Sequence, residues 1–339
     1  MKILIDIGHP AHVHYFKYLI KDLKRKGNEF LIVARDKEVS HKLLDAYQIP
    51  YVSRGKGKNS AIGKLLYLLK ADLKVLDLAR KFQPDLFLSV ASPYAAQVSW
   101  LMKKPHIAID DTEAATTARK FYLPFSTQVI TPNCFEKDLG EKQLLVNSFT
   151  ELFYLHPNRY APKPVERMLD LKHKENYVLL RFVSWNANHD IGQRGISIDT
   201  KSKLIEKLEK LNFKIFISAE GELPSQFEKY GIKISPEKMH DVLASASLFI
   251  GEGATMASEC VMLGTPAIYV NSLTAGTLNE QSSKYGLISL RKEDQLMSEL
   301  EKLLQTNYTA NAKHKMEMVL QDKIDFSEYL INYIESLKV

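Results

Sequence analysis

The sequence predicts an α/β protein of two doubly wound domains, and three observations carry that expectation. The chain has 339 residues, too many for one compact core and about right for two ordinary domains. Short β-branched and apolar runs alternate with longer segments of helical period. The alternation lapses in one proline-rich stretch and then restarts. Alternation of this kind builds right-handed βαβ crossovers, and hence a parallel sheet covered on both faces.

In the first half, Lys2–Ile7, Glu29–Ala34, Asp85–Val90, His106–Ile109 and Gln128–Thr131 read as buried strands. Tyr15–Lys26, Lys37–Gln48, Ile62–Phe82 and Tyr94–Lys103 read as the helices between them. The join falls at His156-Pro157, Ala161-Pro162 and Lys163-Pro164, where proline interrupts helices and favours extended backbone before it. Then come strand Tyr177–Phe182, a helix over Thr200–Leu211, strand Lys214–Ser218 and a helix over Met239–Ala244. Strand Leu248–Ile250, a helix over Thr255–Leu263 and strand Ala267–Val270 follow, with helical segments Asn311–Leu320 and Phe326–Leu337 last. The expected division is 1–160 and 161–320, with a C-terminal helix in 321–339 packing back on the first domain.

Composition narrows the class. Apolar residues make up 45% and charged residues 25%, the balance of a folded, soluble protein. Cys134 and Cys260 are too few for a disulfide framework or a four-thiolate zinc site, so a reducing cytoplasm is expected. The apolar start ends at Gly8-His9-Pro10, too short for a secretory signal, and no run reaches the roughly 18 residues of a membrane span. The net charge of +6 is local: residues 54–81 carry eight cations against Asp72 and Asp77, which leaves the rest neutral. No zinc finger or RNA-binding signature accompanies it, so nucleic acid is not an expected partner.

Ligands of open parallel sheets bind beyond the carboxyl ends of the strands, so the loops there decide the chemistry. Gly8-His9-Pro10-Ala11-His12-Val13-His14 has one glycine where a dinucleotide fingerprint needs three. Arg54-Gly55-Lys56-Gly57-Lys58-Asn59-Ser60 lacks the spacing of a phosphate loop, and Gly63-Lys64 is followed by Leu65. Nicotinamide, flavin and ATPase motifs are therefore absent. The strongest segment is Gly251-Glu252-Gly253-Ala254-Thr255-Met256, between a strand and a helix that runs to Leu263-Gly264-Thr265-Pro266. Its small residues permit close backbone approach, and the helix N-terminus offers unpaired N–H groups to a phosphate. Glu259 lies one turn further on, where a carboxylate accepts hydrogen bonds from ribose hydroxyls. The plainer alternative is a tight turn with Glu259 merely exposed.

That segment resembles the donor-nucleotide region of GT-B proteins, which pair two Rossmann-like domains. It is similar to the hydrolysing UDP-N-acetylglucosamine 2-epimerases and to the N-acetylglucosaminyltransferase that makes lipid II. The whole chain, including Tyr154-Leu155-His156-Pro157-Asn158, resembles a prokaryotic epimerase-like family of unknown function linked to surface polysaccharides. The resemblance implies two domains facing across a cleft, a nucleotide sugar held mainly by the second, and an acceptor or catalytic group supplied by the first.

Candidate chemistry follows. His12 matches the histidine after the first strand of the lipid-II-forming transferase and would serve as general base, with His9 and His14 as substitutes. The three histidines are also open to a metal site or to satisfying loop backbone. In Asp110-Asp111-Thr112-Glu113-Ala114, carboxylates either cap a helix or act chemically; Glu113-Ala114 matches the catalytic pair of the epimerases, with Asp111 nearby. The aspartate those enzymes carry at the preceding strand is missing from Ser89-Val90-Ala91-Ser92-Pro93, which weighs against epimerisation. Arg181, Asn188 and His189 are candidates to clamp a pyrophosphate, although Arg181 alternatively pairs with a structural carboxylate. By resemblance, Glu280 and Gln281 touch the donor sugar.

The expected function is thus a metal-independent glycosyltransferase that takes a nucleoside-diphosphate sugar, UDP-linked, as substrate and needs no cofactor. Its acceptor is a glycan or a lipid-linked precursor. The alternatives are a hydrolysing 2-epimerase carried by Glu113 and a non-catalytic nucleotide-sugar-binding subunit. Leu65, Leu69, Leu73 and Leu76 recur at helical spacing and are expected to face the core. Leu66, Tyr67 and Leu68 widen the apolar surface beside Lys64, Lys70 and Lys74. Residues 54–81 are therefore either a solvated helix with a cationic lead-in or a peripheral contact with the inner face of the cell membrane.

Overall fold

The computed structural model describes residues 1–37, 39–57, 61–172, 175–183, 195–219 and 221–337; at 61, 62 and 64–66 only the backbone is described. The chain divides into unit 1, Met1–Arg159 with Lys323–Val339, and unit 2, Tyr160–Asp322.

Unit 1 is built on a parallel sheet in the order β3-β2-β1-β4-β5-β6-β7. The strands are β1 Lys2–Ile7, β2 Glu29–Ala34, β3 Val52–Ser53, β4 Leu86–Val90, β5 His106–Ile109, β6 Gln128–Pro132 and β7 Gln143–Val146. Helices α1 Pro10–Arg25, α2 Ser40–Ala46, α3 Ala61–Phe82, α4 Pro93–Leu101 and α5 Thr116–Tyr122 connect them. Because helices cover both faces, β1 and β4 are buried almost throughout instead of alternating. The order reverses at β1, which has β2 on one side and β4 on the other. That switch point opens a crevice at the carboxyl ends of β1 and β4.

Unit 2 repeats the plan with a parallel sheet in the order β12-β11-β10-β8-β9. Its elements are β8 Tyr177–Phe182, α6 Ile198–Lys210, β9 Lys214–Ala219, α7 Met239–Ser245, β10 Leu248–Gly251, α8 Ala254–Leu263, β11 Ala267–Val270, α9 Gly276–Lys284, β12 Ile288–Leu290, α10 Leu296–Leu304 and α11 Tyr308–Asp322. Here the switch point lies between β8 and β10. Helix α8 stops at Gly264, whose φ of 71° is left-handed and suits glycine.

Helix α12, Phe326–Ser336, returns to unit 1. Phe326 stacks on Phe153 with ring centroids 4.0 Å apart, Ser327 Oγ donates to the Phe153 carbonyl at 2.8 Å, and Arg159 pairs with Asp325 at 2.9 Å.

Helix α3 departs from the expected orientation. Ala71, Val75 and Ala79 are its buried residues, and the last two join a core cluster with Leu4, Val33, Phe87, Ala95 and Val98. Leu69 and Leu73 are instead 55% and 68% exposed, beside exposed Lys70 and Lys74. Small residues let the helix approach α4 closely, so the alanine stripe wins the core position over Leu69 and Leu73, while Leu76 packs half-buried against the cluster as expected. The side chain of Leu65 lies outside the described ones. Among the described residues, no helix is long and apolar enough to cross a membrane.

Candidate functional site

Each unit brings its notable side chains to its own switch point. In unit 2, β8 ends in Arg181 and β10 ends in Gly251, paired in register. The turn Gly251-Glu252-Gly253 lies directly against Arg181. A Cβ on Gly251 would fall 2.7 Å from Arg181 Cβ and 2.9 Å from its carbonyl oxygen, so only glycine fits. At Gly253 the nearest atom would be Arg181 Cγ, at 3.3 Å. Arg181 donates to Ser218 Oγ on β9 at 2.8 Å, which orients the guanidinium across the strand ends. Gly253 is the N-cap of α8 and gives no side-chain cap, and Ala254 and Thr255 are exposed with Met256 half-buried beside them. The first N–H groups of α8 and one guanidinium therefore meet at a bare turn, the donor set that suits phosphate oxygens.

Glu252, not singled out in the sequence, is buried at the centre of this turn. Its carboxylate accepts from the Val183 N–H at 3.0 Å and the Ile196 N–H at 2.5 Å, with Lys201 Nζ 3.8 Å away. Its carbonyl accepts from Asn271 Nδ2 at 3.0 Å. Glu252 thus ties β8, the entry to α6 and β11 to the turn. An acid between two glycines at a buried strand end was the sequence signal for it. Asn188 and His189 lie outside the described residues.

Glu259 is buried and not exposed as the plainer reading had it: Oε1 sits 3.0 Å from His240 Nε2. Gln281 is also buried; its Nε2 donates to Ser258 Oγ at 2.7 Å, while its Oε1 has no hydrogen-bond partner among the described residues. Glu280, one position earlier on α9, pairs with Lys284 at 2.9 Å.

In unit 1, the three histidines of the first loop turn different ways. His9 is the N-cap of α1, its Nδ1 accepting from the Ala11 N–H at 3.3 Å. His14 is buried among aromatics, with Nδ1 3.3 Å from Tyr47 Oη and ring centroids 5.8 Å from Tyr47 and 5.3 Å from Tyr154. Only His12 stays beside the strand end, half-buried, with Nδ1 accepting from the Gly8 N–H at 3.3 Å. A backbone N–H can only donate, so the neutral ring carries its proton on Nε2. Burial, then the charges of His9, Lys37 and Arg54, holds the His12 pKa well below the usual histidine value, and the ring is neutral near pH 7. Among the described residues no group of three or more His, Cys, Asp or Glu is arranged to hold a metal ion.

The same crevice holds an ion pair the sequence did not announce. Asp6 of β1, fully buried, accepts from Arg54 Nε at 2.8 Å and Nη2 at 3.3 Å, and from Ser92 Oγ. Arg54 also donates to Tyr67 Oη at 2.7 Å and lies 4.2 Å from the Tyr94 ring centroid. An acid therefore does reach the Ser89–Pro93 loop, but from β1, and Arg54 engages both of its oxygens. Asp72 of α3 has its carboxyl pushed up to about 7 by burial and by Asp6, against the pull of Arg54.

Asp111 is held by three hydroxyls: Tyr15 at 2.6 Å, Thr150 at 3.0 Å and Thr112 at 2.9 Å. Asp110 accepts from the Thr112 N–H at 3.0 Å and from Arg119 Nε at 3.1 Å, and so braces the start of α5. Glu113 is buried, and its Oε1 accepts from the Glu136 N–H at 3.3 Å.

The solved structures that share this fold include the UDP-GlcNAc 2-epimerase of Methanocaldococcus jannaschii, 13% identical with a TM-score of 0.72 over 99% of both chains. The Neisseria meningitidis UDP-GlcNAc 2-epimerase bound to UDP-GlcNAc is 12% identical with a TM-score of 0.70, over 99% of this chain and 100% of its own. The Streptomyces sp. SF2575 glycosyltransferase SsfS6, complexed with thymidine diphosphate, is 14% identical with a TM-score of 0.67, over 99% and 100%. At these identities the likeness establishes the α/β fold of GT-B proteins. In sequence, the uncharacterized protein MJ0665 of Methanocaldococcus jannaschii is 25% identical over 286 residues, 79% of this chain and 81% of its own. Over residues 1–278, the chain belongs to the family described as "Protein of unknown function (DUF354)".

Proposed function

We propose that the protein is a glycosyltransferase that uses a nucleoside-diphosphate sugar, UDP-linked, to extend a surface-polysaccharide or glycoconjugate precursor. The observation that carries this reading is the bare turn of unit 2, where Arg181 packs on Gly251 and Gly253 at the N-terminus of α8. Those donors suit a diphosphate, both as bound substrate and as leaving group. Structures of the same fold that contain UDP-GlcNAc or thymidine diphosphate support the choice of ligand. Arg181 would meet the diphosphate, with Asn188 and His189 as further candidates, and Gln281 would offer its buried Oε1 to a hydroxyl of the sugar. Unit 1 would hold the acceptor beside His12.

Transfer is favoured over 2-epimerisation because Asp6, the acid beside Ser92, is tied up by Arg54, and Glu113 is buried against the Glu136 backbone. The purified protein should bind a UDP- or GDP-sugar in a calorimetric panel and release the nucleotide once an acceptor is added. A panel in which nothing binds would falsify the reading. Conversion of UDP-N-acetylglucosamine with no acceptor present would transfer the assignment to the epimerase.

A lipid-linked acceptor fits the exposed side of α3. Leu69 and Leu73 project there between Lys70 and Lys74, so apolar side chains would enter a membrane interface while lysines meet anionic headgroups. Each near-surface charge contributes about 1 kcal/mol at moderate salt. Binding to anionic liposomes should weaken with salt and drop sharply when Lys56, Lys70 and Lys74 become glutamate. Equal binding to neutral liposomes would return α3 to an ordinary solvated helix.

A further inference from the structure

Arg35, just past β2, is a half-buried cation with no counter-ion among the described residues. Among the described residues its guanidinium has no hydrogen bond or ion pair: Nε is shut off from water without a partner, and the Tyr67 ring centroid lies 5.9 Å from Cζ. The loop after β3 presses on it, since a Cβ on Gly57 would fall 2.0 Å from one terminal nitrogen and 2.6 Å from Cζ. Arg54 faces the same Tyr67 ring at 5.8 Å, but Asp6 offsets its charge. Two guanidiniums thus share one tyrosine and one bonded carboxylate. Shielding an unpaired charge from water is costly, and an anion from outside the chain removes that cost.

The backbone places Arg35 near the other donors of the crevice. The Arg35 N–H donates to the Ile7 carbonyl and the Arg54 N–H to the Ala34 carbonyl, each at 2.8 Å, so both residues leave the sheet beside Gly8. A Cβ on Gly8 would lie 3.6 Å from Arg54 Nη2 and 3.7 Å from His12 Cε1. With Nδ1 of His12 committed to the Gly8 N–H, its remaining ring nitrogen is a donor, and guanidinium groups donate only. Sugar hydroxyls need acceptors as well as donors. A tetrahedral anion approached from several sides needs donors alone.

We propose that Arg35 and His12 bind the phosphate or diphosphate of a phosphate-bearing acceptor, with His12 donating Nε2–H instead of taking a proton as a base. The word acceptor rests on the transferase reading; the anion site stands without it. The test titrates inorganic pyrophosphate and a soluble short-chain prenyl diphosphate into UDP-saturated protein, by calorimetry and by the ¹⁵N signals of the His12 ring. Both diphosphates should bind and shift the His12 signals, which should show the Nε2-protonated form throughout. Arg35→Met should weaken both by about ten-fold or more, the scale of a charged hydrogen bond, and Arg35→Lys by less. His12→Gln, which keeps a donor, should bind better than His12→Ala. UDP affinity should be unchanged in Arg35→Met and its melting temperature should not fall, which excludes misfolding as the cause. Equal pyrophosphate affinity in Arg35→Met, or a His12 proton on Nδ1, would overturn the site. Binding of pyrophosphate with exclusion of the prenyl compound would overturn the lipid form of the acceptor. If diphosphates bind through Arg35 while no sugar nucleotide binds, the transferase reading falls and the anion site remains.

Discussion

Among the described residues, the switch point of unit 2 is formed by a glycine turn with one cation, Arg181, whereas that of unit 1 is crowded with charged side chains. In unit 2, Arg181 and Phe249 press on Gly251, Arg181 lies against Gly253, and Glu252 is buried in the turn and pins the surrounding chain. In unit 1, Arg54 and His12 stand beside Gly8 at ordinary contact distance, and Arg54 is bonded to Asp6, which also acts on Asp72. One topology therefore supports two kinds of site. A bare turn recognises a group common to many ligands through main-chain N–H, and a crowded one discriminates through side-chain charge.

The largest expected effect lies under the unit 1 site. His106 is buried between Ser89 and Ser126, at 2.9 Å from each, and burial depresses its pKa from 6.5 to about 3. A depressed histidine adds stability that is present above pH 6.5 and lost as pH falls through about 3. Roughly 5 kcal/mol is at stake across that window. Urea melts at pH 7 and pH 4 should show unit 1 weakening towards acid, and His106→Gln should flatten that slope. An equally steep slope in the variant would place the acid-sensitive group elsewhere.

Next come the glycines. Gly251→Ala should destabilise unit 2 by about 2–3 kcal/mol, the cost of overpacking against backbone, and abolish nucleotide binding. Gly8→Ala should cost less than about 0.5 kcal/mol, because its Cβ finds ordinary contacts. Parallel thermal melts of the two variants test the contrast, and similar losses would erase it. Glu252→Gln should cost about 2 kcal/mol, since a charged acceptor of two buried N–H groups becomes a neutral one. Hydrogen exchange at Val183 and Ile196 should report the loosening; unchanged protection there would deny Glu252 its anchoring role.

Asp72 gives a smaller effect than Gly251 or Glu252, with the opposite sign to His106. Its carboxyl is raised from 3.8 to about 7, so its stabilising contribution is full below pH 3.8 and lost as pH rises through 7. Asp72→Asn should therefore be more stable than the parent at pH 8, by about 1 kcal/mol once solvent screening is allowed for, and no different at pH 3.5. A variant less stable at pH 8 would mean that Asp72 works as a counter-ion to Arg54.

The long buried strands and the break at the prolines were legible because both faces of β1, β4, β8 and β10 are covered, which leaves continuous apolar runs. Strand β3 was not, since Val52–Ser53 has no period to read. Strands β7 and β12 and helix α10 were also missed; β7 and β12 are short edge strands with weak patterns. The face of α3 was misread at Leu69 and Leu73, though not at Leu76, because leucine outweighs alanine in a hydrophobic pattern while close packing on α4 favours the smaller residue. At the sites, His12, Arg181 and the Gly251–Met256 turn lay where strand-end loops direct attention. Asp6 and Arg54 did not stand out, because 48 positions separate them and only the order β3-β2-β1 brings them together.

The return of α12 to unit 1 bears on how the protein is made. Unit 2 is one uninterrupted stretch, whereas unit 1 is finished only when Lys323–Val339 has been synthesised. During translation the pocket around Phe153 that receives Phe326 must wait, on the order of ten seconds, while the whole of unit 2 emerges from the ribosome. For that interval the half that begins first is the half still incomplete, with an apolar surface available to chaperones.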